Sequence, residues 1–511
     1  MTGPAVTVVV AVYNVMPYLT RCLESLVAQT IGPGQLEVVA VDDGSTDGSG
    51  AELDRFARLH PAIFTVLHQA NSGGPAVPSN RALDAANGRY VFFLGADDYL
   101  GPEALERLVT TADRLGSDVV LGRVVGVNSR HVDQSVFAAD ADDVDLFDSA
   151  LPYAMANTKL FRRALIEKHG LRFPEDMRVL SDQPFTLEAL FHAERISVRA
   201  DYDYYYAVRR LDSSNVSYGS RQHVRVEALT QLMAFIAALV PAGERRDAIL
   251  TRHFRWELTA LVGDQLRTAD HDSLDGLVAG IGALVREYLT DRIRARLGAE
   301  TRVRLALAAH GDAAALVAVI RQDAEVGVPA TVVDGGRSYA AYPGFRAAGG
   351  PPDACFDVTD APDWPAKLDV TGVTWAGGPR RRVLEIRGRS PRPDLADPVV
   401  LGAGDLTGPA DVTHDGDGTR VLATLSAAEL LATSSVRGER RALKATVGAG
   451  TAPLRAPGFR APRPMVRRKG ARVYVLAVTL DHIGQVMIGV TPVSPRRVVA
   501  HLKRVKLRLG K

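Results

Sequence analysis

The chain has 511 residues, 46% hydrophobic and 23% charged, which excludes wholesale disorder and a fibrous repeat and leaves room for two to four domains of roughly 100 to 200 residues. Its net charge of +2 hides an asymmetry: residues 1–220 carry 19 Lys/Arg against 29 Asp/Glu, a balance of −10, and the remainder stands at +12. Two cysteines, Cys22 and Cys355, exclude a disulfide framework and a four-ligand zinc site, so a reducing compartment is expected.

The chain opens on a continuous valine-rich run, Val6 to Val12, with no basic leader before it and no small-residue cleavage site. Apolar runs such as Leu232 to Val240 fall short of the ~20 residues that span a bilayer, and a cytoplasmic location is expected, with contact at the inner face of the cell membrane left open. Helical spacing at Leu19, Cys22, Leu23 and Leu26 and a second apolar run, Leu36 to Val41, complete a β-α-β unit. A helix (Ala51 to Leu59), a strand (Phe64 to Leu67), a helix (Asn80 to Ala86) and a strand (Tyr90 to Leu94) continue the alternation. Unbroken apolar strands between helices predict an α/β domain with a mostly parallel sheet.

Past the tyrosine-rich stretch Tyr202 to Tyr206 long helices are expected. The spacing Leu274, Leu277, Val278, Ile281, Leu284, Val285, Tyr288, Leu289 is an amphipathic stripe that packs within the chain or at a subunit interface. Beyond Gly327 short alternating strands such as Val383 to Ile386 and Val473 to Thr479, separated by turn residues, predict a β-sandwich. The expected domains are 1–220, 221–325, 326–365 and 366–511.

Ligands of open α/β sheets bind at the carboxyl ends of the strands. Two carboxylate clusters fall there. Val41-Asp42-Asp43-Gly44-Ser45-Thr46-Asp47 offers carboxylates beside a tight turn, able to accept hydrogen bonds from a base or ribose, or to cap the next helix. Phe92-Phe93-Leu94-Gly95-Ala96-Asp97-Asp98-Tyr99 ends an apolar strand on two adjacent carboxylates, whose repulsion a hard divalent cation or solvent would relieve.

In order and spacing, the run Val8 to Asn14, the Asp-Asp-Gly-Ser-Thr-Asp run, Asn71-Ser72-Gly73-Gly74, Asn80 with Gly88, and the Gly-Ala-Asp-Asp run resemble the family 2 glycosyltransferases of GT-A fold. The resemblance implies an enzyme that transfers a sugar, with inversion, from a UDP-sugar whose diphosphate carries Mn2+ or Mg2+. It implies that Asp43 binds uracil or ribose, that Ala11, Tyr13 and Asn71 line the nucleotide cleft, and that Ala96 and Glu175 add donor contacts. Asp97, with Asp98, falls at the metal, while Gly95 stands where the family has the first Asp of Asp-x-Asp; an aspartate restored there is expected to tighten metal binding. Ser79 replaces a frequent Arg, for which Arg81 could substitute at the phosphate; Arg123 is a further sugar or phosphate candidate.

Ser181-Asp182-Gln183-Pro184 occupies the place of the family's Glu-Asp pair, so Asp182 matches the general base, with a helix N-cap as its structural alternative. Arg209 and Arg210, followed by Ser213, Ser214 and Asn215, resemble the motif that closes over the diphosphate.

Asn157 to Arg163, Arg172 to Asp176, the helical linker, Tyr339 to Phe345 and the β-sandwich (immunoglobulin-like) tail are similar to bacterial wall teichoic acid glycosyltransferases. This implies an anionic polyol-phosphate acceptor, with N-acetylglucosamine as the expected sugar and C-terminal modules serving acceptor handling and oligomerisation, often as a homotrimer. The tail Arg496 to Lys511, with seven Lys/Arg and no acid, agrees with an anionic partner, polymer or membrane. The alternatives are a capsular or lipid-linked glycan acceptor and a non-catalytic glycan-binding protein with a degenerate transferase domain. Nucleic acid is not expected, because that tail has no interleaved aromatics.

Overall fold

The computed structural model describes residues 3–493 apart from 129, 211–220, 269–270, 379–380, 391–397, 415–418, 435–438, 448–449, 457–459, 471 and 482–484. Ser213, Ser214, Asn215 and the basic tail Arg496 to Lys511 therefore lie outside the described residues. The chain divides into two compact units, Met1–Glu257 and Leu258–Lys511.

The first unit is built on a seven-stranded sheet of order β3-β2-β1-β4-β8-β6-β9. Its strands are β1 (Val6–Val12), β2 (Leu36–Asp42), β3 (Phe64–His68), β4 (Tyr90–Phe93), β6 (Val119–Gly122), β8 (Leu160–Arg162) and β9 (Ile196–Arg199). All neighbours pair in parallel except β8, which runs antiparallel to both β4 and β6. Helices α1 (Leu19–Val27), α2 (Ser49–Leu59), α3 (Ala76–Asp84), α4 (Ala104–Leu115), α5 (Arg163–His169) and α6 (Asp182–His192) connect them. The alternation read from the sequence is present; α3 begins four residues before the expected Asn80.

The register decides where chemistry can occur. Val12 of β1 faces Asp42 of β2, and Val9 faces Phe93 of β4, so the segments leaving all three strands emerge along one edge. A smaller sheet of β5 (Tyr99–Leu100), β10 (Tyr205–Val208) and β7 (Val124–Val127) stands beside that edge. Gly44, in the left-handed region at φ 76°, turns the chain after β2 where a Cβ would sit 2.8 Å from the Asn71 backbone nitrogen.

Behind the edge lies an aromatic core. Phe93, Phe161, Phe173 and Phe185 meet with ring centroids 4.4–5.9 Å apart, and Phe173 stacks on Phe185 at 4.4 Å. Such pairs contribute beyond their buried area. Asn80 on α3 closes a two-way bond with the Phe173 backbone: its amide donates to the carbonyl and its oxygen accepts from the N–H, both at 2.9 Å. The strand-to-helix segment before α6 is thereby fixed to α3.

In the second unit, helices His271–Tyr288, Ala299–His310 and Ala313–Glu325 precede a hairpin of Thr331–Asp334 with Arg337–Ala340. The amphipathic stripe packs within the chain: Val278, Ile281, Leu284 and Val285 are buried, and a Cβ on Gly282 would lie 2.2 Å from the Ala308 carbonyl oxygen. The rest is an antiparallel ten-stranded sheet between Asp369 and Pro492 that curls around one core, which residues from both ends of the sheet share. The expected β region is present, and its two layers are joined through shared strands into one continuous sheet.

Truncating Phe185, fully buried among three other rings, is expected to lower stability by about 3–5 kcal/mol. Urea titration of Phe185→Ala followed by tryptophan fluorescence checks this; a midpoint equal to that of the unmodified protein would show that the ring cluster does not hold α6 in place.

Candidate active site

The strand edge opens into a cleft of about 630 Å³. Eight of the residues singled out from the sequence line it: Ala11 in β1 and Tyr13 after it, Asp43 after β2, Asn71 after β3, Ala96, Asp97 and Asp98 after β4, and Arg210 after β10. Arg130 and Arg178 also line it, and sequence reasoning missed both. Neither lies in a motif; each reaches the cleft only because a loop folds back to it.

Asp43 is buried, and its backbone N–H donates to the Val12 carbonyl at 2.8 Å, tying the ends of β1 and β2. Its carboxylate accepts from the Ser72 N–H at 3.1 Å, the Ser72 hydroxyl at 2.9 Å and the Gln69 amide at 2.6 Å. Asn71 donates to the Asp43 carbonyl at 3.1 Å. Asp43 thus holds the 69–74 loop against the cleft while facing into it. Asp47, just before the Gly48 N-cap of α2, accepts from the Ser49 N–H at 3.0 Å and the Met16 N–H at 2.8 Å, so it braces the start of the helix without being its cap.

The two carboxylates after β4 have different duties. Asp98 is buried; the Tyr205 hydroxyl donates to one oxygen at 2.5 Å and the Val208 N–H to the other at 2.6 Å. Burial, and then repulsion from Asp97, push its carboxyl up to about 7, against the pull of Arg130 and these two bonds. Expected beside the metal, Asp98 is instead committed to fastening β10, because both its oxygens already have protein donors. Asp97 faces the cleft and accepts from Arg210 Nε at 2.8 Å, an ion pair whose two side chains are each about 15% exposed.

Gly95 is where this site departs furthest from a paired-carboxylate arrangement. A Cβ there would lie 2.7 Å from an Asp98 carboxylate oxygen and 3.1 Å from the Tyr205 hydroxyl. An aspartate at 95 would have to displace the Asp98 carboxylate or the Tyr205 hydroxyl before it could face a metal. Among the described residues no group of three or more His, Cys, Asp or Glu side chains is set to hold a metal ion. The residues fit a divalent ion carried mainly by a ligand's own diphosphate oxygens, with Asp97 as its carboxylate contact; they do not fit a metal centre built by the protein.

The other singled-out residues fall outside the cleft lining. Arg81 donates to the His68 carbonyl at 2.9 Å, so it braces β3 where a phosphate contact was expected. Arg123 is paired with Asp203 at 2.8 Å, and that ion pair takes up the guanidinium expected at the sugar. Glu175 accepts from Asn80 at 3.1 Å and lines a smaller adjoining cavity together with Arg178. Arg209, next to Arg210, does not line the cleft.

Asp182 is the first residue of α6, with Ser181 at the N-cap, so Asp182 is not itself the cap. It lies four residues beyond cleft-lining Arg178, across Leu180, whose φ of 63° marks a sharp backbone turn. Although part of its surface is accessible, burial dominates and raises its carboxyl above the usual range, opposed by Arg252 and Lys159. Lys159 is buried, donates to the Ala156 carbonyl, and is pulled down to about 7 by burial. Arg252 donates to Gln183 at 2.9 Å and Glu257 at 2.7 Å, so a buried set of charges backs the start of α6. The sequence motif pointed to Asp182; nothing in the spacing pointed to Lys159 or Arg252 as its neighbours.

A cleft at the carboxyl edge of a mostly parallel sheet agrees with the family models. Residues 7–170 match Glycosyl transferase family 2 and residues 223–320 match the Glycosyl transferase TarS linker domain, so the chain carries a family 2 glycosyltransferase domain followed by a linker of that kind. It is 32% identical over 305 residues to the poly(ribitol-phosphate) beta-glucosyltransferase of Bacillus spizizenii, covering 57% of this chain and 48% of that one. It is 35% identical over 261 residues to the poly(ribitol-phosphate) beta-N-acetylglucosaminyltransferase TarS of Staphylococcus aureus, covering 50% and 45%. The chain thus spans about half the length of these curated relatives. The fold resembles the crystal structure of S. aureus TarS with a TM-score of 0.61 at 22% identity, covering 96% of this chain and 86% of that one. S. aureus TarS 1–349 in complex with UDP-GlcNAc gives 0.57 at 28% identity, covering 68% and 98%.

Gly95→Asp is expected to lower the melting temperature and weaken UDP binding, because the new side chain must displace Asp98 or Tyr205. Differential scanning fluorimetry with and without UDP and Mn2+ reads both; tighter metal-dependent UDP binding by this variant would overturn the packing argument.

Proposed function

We propose that the protein is an inverting glycosyltransferase that moves a hexose, N-acetylglucosamine first among the candidates, from a UDP-sugar to a hydroxyl of a polyol-phosphate polymer of the teichoic acid type. The observation that carries this reading is the cleft itself: Asp43, Asn71, Asp97 and Arg210 converge at the strand edge, four residues short of where Arg178 leads to Asp182. The two relatives above act on poly(ribitol phosphate) by name and both make beta linkages, one with glucose and one with N-acetylglucosamine. A structure with UDP-GlcNAc at 28% identity supports the donor class.

In this reading the uracil and ribose lie against Ala11, Tyr13 and Asn71, with Asp43 accepting hydrogen bonds from them. Arg210, Arg130 and Arg178 surround the diphosphate, where a guanidinium grips oxygens through paired donors and stabilises the charge that grows on the leaving UDP. A bound Mn2+ or Mg2+ near Asp97 would neutralise further diphosphate charge. Asp182 takes the acceptor hydroxyl's proton as that oxygen attacks the anomeric carbon opposite the departing UDP, giving a β product from an α-linked donor. Burial raises its carboxyl, which makes it a stronger base than an exposed aspartate. Assembly into a homo-oligomer through the second unit belongs to the same proposal. Among the described residues no helix is long and apolar enough to cross a membrane.

Asp182→Asn keeps shape and removes basicity, so turnover is expected to fall by ~10² to 10⁴ with UDP-sugar affinity changed by only a few-fold. UDP release with polymer acceptor, with calorimetry for donor binding, tests it; normal turnover or an α-linked product by NMR would refute the base assignment. Lys159→Met removes a cation that lowers the Asp182 carboxyl, so the acid limb of the kcat/KM profile should move to higher pH. An acid limb that stays in place or moves to lower pH would separate Lys159 from the base.

A further inference from the structure

The helix Glu244–His253 runs into a π-helical turn over Phe254–Leu258. Turns of that kind are rare inside helices and fall frequently at functional sites. What this one accomplishes is seen in the pair it closes. In a regular α-helix two residues five apart point about 140° away from each other, since each residue adds about 100°. Arg252 and Glu257 stand five apart, yet Arg252 Nη1 donates to Glu257 Oε1 at 2.7 Å, and the other Glu257 oxygen lies 3.3 Å from His253 Nδ1. The same Arg252 nitrogen donates to the side-chain oxygen of Gln183 at 2.9 Å, and the Arg252 guanidinium lies 4.9 Å from the centre of the Trp256 ring. Arg252 is therefore fixed at the residue that follows Asp182, within the first unit.

Burial raises the Asp182 carboxyl; Arg252 and then Lys159 draw it down, and Glu257 pushes it up again. Lys159 comes from the segment before β8, the other two from the helix and its π turn. Burial would raise the Glu257 carboxyl as well, but Arg252 first, with His253, holds it down to about 2, so Glu257 stays an anion near neutral pH. Burial lowers His253 against the pull of Glu257, and His253 adds no charge there. A guanidinium keeps its proton under all these conditions, so Arg252 needs a permanent counter-charge if Asp182 is to keep its affinity for a proton.

We propose that Glu257 is a positioning residue for sugar transfer: through the π turn it holds Arg252 at the start of α6 and offsets its charge, leaving Asp182 able to take a proton. The inference rests on the reading of Asp182 as the base. Without Glu257, Arg252 and Lys159 together would stabilise the ionised Asp182 too well, and a carboxylate so stabilised is a weak base. Glu257 acts on the reaction only through Arg252 and Asp182.

The test uses the full chain with Glu257→Gln, which keeps an acceptor for Arg252 and removes the charge. The acid limb of kcat/KM should move to lower pH by about half a unit or more, opposite to the shift expected for Lys159→Met, and kcat should fall while UDP affinity by calorimetry stays within about two-fold. Glu257→Asp, which keeps the charge, should leave the limb in place. General loosening of the fold cannot move the limb in opposite directions for two buried substitutions, so a limb that stays put or rises in Glu257→Gln overturns the proposal. Removing one partner of a buried ion pair is more disruptive than removing both. If Glu257→Gln does not fold, the double variant Arg252→Gln with Glu257→Gln decides: its limb should lie at or slightly above that of the unmodified protein, and a lower limb, or turnover too small to give one, refutes the charge balance. Normal turnover in Asp182→Asn would instead refute the base assignment on which the inference rests.

Discussion

The catalytic unit depends on one buried carboxylate. Asp98 lies between β4 and β5, directly before Tyr99, and takes hydrogen bonds from the Tyr205 hydroxyl and the Val208 N–H, both in β10, more than a hundred residues away in the chain. Burying an acid is unfavourable unless its oxygens find donors, so this pair of bonds fastens the segment leaving β4 to β10 of the small sheet. From that join the cleft follows: Asp97 turns the other way into it, and Arg210, two residues past β10, meets Asp97 across it. The tight fit at Gly95 is part of the same constraint, since the Tyr205 hydroxyl also accepts from the Gly95 N–H at 3.1 Å.

A second constraint places the start of α6. Asn80 holds Phe173 and Glu175, and the phenylalanine cluster holds α6 through Phe185. Behind Asp182, Lys159 and Arg252 offer positive charge in surroundings that burial would otherwise make costly for any ion. Positioning comes from the polar link and the rings; the charge state comes from the buried cations. Separating these two contributions explains how the Asp182 carboxylate can be held rigidly and yet have its charge tuned.

The second unit is organised differently. Its helices close on one another where Gly282 lets a backbone approach, and its curled sheet carries one shared core. Glu300 gathers Lys367 and Arg455, tying the helix Ala299–His310 to the β region.

The sequence by itself determined the α/β alternation, the residues at the strand ends and the change of architecture after the tyrosine-rich stretch, because these depend on local periodicity and on strand ends sharing one edge. Asp43, Asn71, Asp97 and Arg210 were legible for that reason. What only the tertiary structure decided is the duty of each charge. Arg81 and Arg123 are spent on bracing contacts, Asp98 on fastening β10, and Arg130 and Arg178 enter the cleft from loops without any motif. Which of two adjacent carboxylates faces a ligand, and whether a distant arginine already neutralises it, depends on partners tens to hundreds of residues away, and no local pattern in a chain encodes a partner at that separation.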